Sequence, residues 1–123
     1  MPKEVTFDRI ENYGRWIFGD FRPALHRTKD FEVGLFRIPK GEKSVPHFHE
    51  ITQEWNLIIS GSCLVYSAGI KHKLGEGDIF FFDKGVVSNV EYTSDTVLVV
   101  IKVPSNPSDK VIVTKKDNSD DEG

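Results

Sequence analysis

Only one cysteine, Cys63, occurs among the 123 residues, which excludes an intrachain disulfide framework and suits a reducing compartment. No run approaches the roughly 18 consecutive apolar residues that a membrane-crossing helix needs, so an integral helical membrane protein is excluded and no membrane partner is expected. The opening residues, Met1-Pro2-Lys3-Glu4-Val5, lack the apolar core and small-residue cleavage site of a secretory leader, and a cytoplasmic location is the expectation. Basic side chains are too few and too scattered for a phosphate-neutralising stripe: 16 Lys and Arg stand against 19 Asp and Glu, a formal charge of -3. Nucleic acid is therefore not an expected partner. Internal repeats are absent and apolar periodicity of the helical kind is scarce.

What the sequence does contain is short β-branched and aromatic runs punctuated by Gly, Pro, Asn and Asp, the pattern of a sandwich or barrel. A length of 123 residues suits one domain. Strands are predicted over 31–38, 44–49, 54–60, 62–67, 71–74, 79–82, 88–92 and 97–103, joined by turns such as Pro39-Lys40-Gly41, Ser60-Gly61 and Asp83-Lys84-Gly85. The fold class is all-β, with two packed sheets. Residues 1–30 form an N-terminal extension in which one or two strands are expected, packed on the barrel or across a dimer. Residues 31–114 form the barrel. The polar run 115–123, with two basic and four acidic side chains, is expected to stay disordered.

Three strong metal-ligand types fall within eight positions: His47, His49 and Glu54, in Pro46-His47-Phe48-His49-Glu50-Ile51-Thr52-Gln53-Glu54. On a strand, residues two apart share a face about 6.6 Å from one another, so two imidazoles can lean onto one ion at about 2.0 to 2.1 Å, with Phe48 turned away. If 50–53 turn the chain and Glu54 opens the antiparallel partner strand, its carboxylate reaches the same ion. Alternation then puts Glu54, Asn56, Ile58 and Ser60 on one partly polar face and Trp55, Leu57 and Ile59 on the other. A strand lining a wet cavity has reason to carry Glu and Asn in this way, and a strand facing only core has little.

These residues resemble the first motif of the cupins: Gly41, five residues, His47-x-His49, four residues, Glu54, six residues, Gly61. The second cupin motif is degraded. Gly77 and Gly85 fit it, whereas Asp83 stands in place of Pro, Ser88 in place of the fourth ligand His, and Tyr92 in place of Asn. The resemblance spans about 31–103 and implies a double-stranded β-helix, a small jelly-roll barrel with a metal in its lumen. It implies one divalent transition metal per chain (Fe, Mn, Ni or Zn) on His47, His49 and Glu54, with the Ser88 position open or water-filled. A homodimer is expected by the same analogy.

The functional expectation is a metal-binding cupin that binds and transforms a small polar molecule, as a dioxygenase, isomerase or epimerase, or lyase. The alternative is a non-catalytic ligand-binding or sensor cupin with a weak or absent metal site. Asn56, Ser88 and Tyr66 are the candidate substrate-binding residues. Tyr92 is a second phenol whose direction alternation leaves open, and Arg15, Arg22, Arg37 and Lys102 are candidates to hold an anion. His26 and His72 are the other imidazoles available as substitutes. Of Phe80, Phe81 and Phe82, at least one must face the cavity side and one the opposite side. The segment 102–110 reads as an ordered loop without chemistry of its own.

Overall fold

Alternation of period two governs the long strands of the computed structural model, which describes residues 4–113. After a 3-10 turn at Ile10–Asn12 come β1 (Trp16–Gly19), β2 (His26–Arg27), β3 (Glu32–Ile38), β4 (His47–Phe48), β5 (Gln53–Ser60) and β6 (Ser62–Ser67). The remaining strands are β7 (Ile70–Gly75), β8 (Ile79–Phe82), β9 (Ser88–Tyr92), β10 (Thr96–Val103) and β11 (Val111–Ile112). The fold is all-β. Among the described residues no helix is long and apolar enough to cross a membrane. The expected tail at 115–123 lies outside the described residues.

Six strands form one sheet in the order β2-β1-β3-β10-β5-β8, and five form the other in the order β11-β4-β9-β6-β7. Among the described residues only β1 and β2 pair in parallel. Ile38, Ile58, Phe82, Leu98 and Val100 from the larger sheet meet Cys63, Val65 and Val90 from the smaller in one buried cluster. Each such side chain contributes about 1.5 to 3 kcal/mol, depending on its size and burial.

Register converts alternation into layers across the larger sheet. Glu32, Lys102, Glu54 and Phe82 lie side by side, then Gly34, Val100, Asn56 and Phe80, then Phe36, Leu98 and Ile58. The first layer carries the charge and the deeper ones are largely apolar. Phe80 and Phe82 face inward and Phe81, 44% exposed, faces outward.

Two features depart from the expected strand pattern. Of 44–49 only His47–Phe48 is strand, preceded by an isolated bridge between Lys43 and Glu91. Nor is β5 the partner of the histidine strand: β4 pairs with β9 and β11 in the smaller sheet, while β5 lies between β10 and β8 in the larger. Residues 50–52 thus carry the chain from one sheet to the other instead of closing a hairpin. Gly61 makes the return crossing, at φ +97° and with a Cβ position only 2.4 Å from the Asp95 carbonyl oxygen. A side chain there meets backbone, so glycine is required.

Candidate metal and ligand site

The sheet change places His47 and His49 opposite Glu54 across the lumen. All three line a cavity of about 550 Å³ together with Asn56, Tyr92 and Lys102. The His47 ring Nδ1 is 2.7 Å from the Val45 carbonyl oxygen. The His49 Nδ1 lies against the carbonyl oxygen of Asp109. A carbonyl only accepts, so each Nδ1 is the donor and each Nε2 is the nitrogen left to face a ligand. Burial pushes the His47 pKa down, more strongly than its bond to Val45 raises it, which favours the neutral ring.

The Nε2 of His49 stands 3.1 Å from Glu54 Oε1, with both side chains largely buried. With Nδ1 already donating, the Nε2 lone pair and the carboxylate oxygen face one another, a pairing that can share a cation. Burial alone raises the Glu54 carboxyl, but His49, Lys102 and the Asn56 amide together hold it below its ordinary value. Asn56 Nδ2 donates to Oε2 at 3.0 Å, and Lys102 Nζ is 3.8 Å from Oε1. Two imidazoles whose Nδ1 atoms are taken up by carbonyls and a carboxylate held below its ordinary pKa are the donor chemistry that a divalent transition metal takes. The rings of His47 and His49 are 5.4 Å apart, edge to face. Among the described residues no group of three His, Cys, Asp or Glu side chains is arranged to hold a metal ion.

The other candidate residues divide. Asn56 is buried on the cavity wall beside Glu54, on the face that alternation assigns it. Ser88 is buried and in register with His47, but does not line the cavity. Tyr66 also does not line it. Its neighbours Cys63 and Val65 hold the inward positions of β6, and its hydroxyl is 3.5 Å from Glu91 Oε1. His72 is exposed on β7, and His26, on the two-residue β2, packs its ring 6.3 Å from Phe31. Neither enters the cavity.

Asp109 is the residue that sequence reading passed over. Its carboxylate accepts the backbone N–H groups of Glu50, Ile51 and Thr52 at 2.8 to 2.9 Å, while its own carbonyl orients His49. One loop residue therefore fixes both the crossing between the sheets and the tautomer of a candidate ligand. Tyr92 lines the cavity, and its phenol, raised chiefly by burial and further by Cys63 and Glu54, stays protonated. Lys102 continues the inward series of Thr96, Leu98 and Val100, a signal present in the β10 alternation.

A two-sheet barrel with a polar cluster at one end of an apolar lumen defines the class: a small jelly-roll barrel. A family model for the cupin domain matches residues 34–104, and the chain belongs to that family. A curated relative, an oxalate decarboxylase of Arthroderma benhamiae, is 26% identical over 104 residues, covering 80% of this chain and 24% of the relative. The chain thus spans about a quarter of that relative's length. An uncharacterised protein with a double-stranded β-helix domain from Klebsiella pneumoniae superposes with a TM-score of 0.68 at 22% identity, covering 90% of this chain and 99% of that one. KdgF from Halomonas sp. gives a TM-score of 0.62 at 21% identity over 65% and 74% of the two chains. Likeness at these identities establishes the double-stranded β-helix fold.

Proposed function

We propose that this cupin holds one divalent transition metal on His47, His49 and Glu54 and that it binds and transforms a small polar molecule in the adjoining cavity. The observation that carries the reading is the His49–Glu54 contact: a ring nitrogen left free by its tautomer faces a buried carboxylate at 3.1 Å. A bound metal of this type supplies Lewis acidity, or an O₂ site if it is iron. The protein's own groups do the rest. Asn56 fixes the carboxylate, the neutral Tyr92 phenol can donate a proton or hydrogen bond into the cavity, and Phe80, Phe82, Leu98 and Val100 exclude water from its apolar side.

A second reading, a binding or sensor cupin without a working metal, is favoured by Lys102, whose ammonium already neutralises Glu54 from 3.8 Å. Elemental analysis of protein purified without chelator or added metal separates the two. Near-stoichiometric Fe, Mn, Ni or Zn that falls severalfold in His49→Ala, with the fold retained, supports the first reading. Metal far below one per chain, not restored by added divalent ions, supports the second.

The same proposal includes a homodimer through the outer face of the larger sheet. Two apolar rows cross that face, Val33-Ile101-Trp55-Phe81 and Leu35-Val99-Leu57-Ile79. They end at the edge strand β8, where Ile79 is 63% exposed. A continuous apolar face of this kind is more than scattered surface residues provide, and a second copy offers the matching surface by two-fold symmetry. A cytoplasmic location completes the reading, supported by Cys63, a buried free thiol.

A further inference from the structure

The sign of the cavity opposes the sign of the chain. Four basic side chains line it, Arg15, Lys43, Lys102 and Lys110, against the acidic Glu42 and Glu54, although the chain as a whole carries -3. Low-dielectric walls focus such an excess on whatever enters.

Two of these cations are built into one wall. The Arg15 guanidinium sits 5.0 Å from the centre of the Phe36 ring, and Lys102 Nζ sits 5.1 Å from that of Trp16. The two rings pack edge to face at 5.0 Å, so one aromatic pair carries both charges. Gly34 makes the pairing possible, because a Cβ there would lie 2.9 Å from carbons of both rings. Lys102 is the better fixed, with a side chain only 15% exposed. Glu54 engages one side of its ammonium, which has three donors. Its other register neighbour, Glu32, is buried, accepts the Asn106 N–H and does not line the cavity. Arg15 has no carboxylate within ion-pair distance among the described residues.

We propose that the cavity takes a small carboxylic acid with an apolar body, its carboxylate held by Arg15 and Lys102 and its body lying on Phe80, Phe82, Leu98 and Val100. This rests on the metal reading for the position of the reacting centre, and on charge and shape alone for the choice of ligand. A phosphate fits less well. Among the described residues the only helix is the 3-10 turn Ile10–Asn12, too short to offer an N-terminal amide cradle, whereas the deep apolar layers favour a hydrocarbon or aromatic body.

The test is isothermal titration of chelator-treated full-length protein with benzoate, its neutral isostere benzamide, acetate and inorganic phosphate. Benzoate should bind at least about fivefold tighter than benzamide, which reads the charge, and than acetate, which reads the apolar body. Its preference over benzamide should fall at least about threefold in Arg15→Gln, an exposed position whose change leaves the core untouched, and in Lys102→Gln. Equal binding of benzoate and benzamide, a preference undiminished in both variants, or phosphate binding more tightly than benzoate would overturn the proposal. Zinc uptake by the same preparations is scored separately. Loss of metal binding with the benzoate preference intact sinks only the metal reading, and the converse sinks only this one.

Discussion

Replacing Asp109 by alanine removes the clamp that joins the sheet crossing to the candidate site. The carboxylate accepts three consecutive amides at 2.8 to 2.9 Å. A hydrogen bond to a charged group is worth about 1.5 to 3 kcal/mol. Water can replace it at Glu50 and Ile51, which are exposed, but not at Thr52, which is fully buried. The orphaned Thr52 amide and partial losses at the other two give about 3 kcal/mol, against a total of about 6 to 18 kcal/mol for a chain of this size. Asp109→Ala should fold with a lower urea midpoint. Asp109→Asn should lose about 1 kcal/mol, since its oxygen can still accept two amides while its NH₂ opposes the third. A cost below about 1 kcal/mol for Asp109→Ala would refute the clamp.

The same carboxylate has a pH signature. Burial raises its pKa, but the three amides and His49 outweigh that and hold it below the ordinary range. A carboxyl depressed in the folded state contributes its full stability above the unfolded pKa of about 3.9, and loses it as pH falls through the lower folded value. Wild type should therefore lose more stability between about pH 5 and pH 3 than Asp109→Asn does. Parallel acid-denaturation curves would contradict this.

Two further outcomes follow from packing. Gly34→Ala should lower the melting temperature by about 5 °C or more, because the new methyl meets the Arg15 carbonyl oxygen at 2.7 Å and both aromatic rings at 2.9 Å; an unchanged melt would show that Trp16 and Phe36 separate freely. Phe81→Glu should convert a dimer into a folded monomer in light scattering at micromolar concentration, and a wild type that is already monomeric would discard the proposed interface.

Much of the lumen was legible because alternation is a local signal. Period two in 54–60 put Glu54, Asn56 and Ile58 on one face, and the structure buries Asn56 and Ile58 there and lines the cavity with Glu54 and Asn56. The same reasoning applied to β10 would have carried Lys102 inward behind Val100. Pairing was less legible, because sequence neighbours suggest a hairpin between the histidine strand and 54–60, whereas this barrel sends β4 and β5 to opposite sheets. Asp109 carries no local mark. Its partners at 50–52 lie more than fifty residues away, and an Asp between Ser108 and Lys110 reads as ordinary loop.

The row Glu32-Lys102-Glu54 explains how an apolar barrel tolerates buried carboxylates. An isolated charge on such a wall costs several kcal/mol or is neutralised by a shifted pKa. The two carboxylates meet that cost differently. Glu32 accepts the Asn106 amide, and burial, outweighing that bond and the nearby Lys102, drives its carboxyl upward toward the neutral form. Glu54 is held by His49, Asn56 and Lys102 and driven the other way. Lys102 thus stands between two carboxyls whose pKa values are pushed apart. That asymmetry makes Glu54, the carboxylate on the cavity side, the more readily ionised of the two, and it comes from the register of β3, β10 and β5.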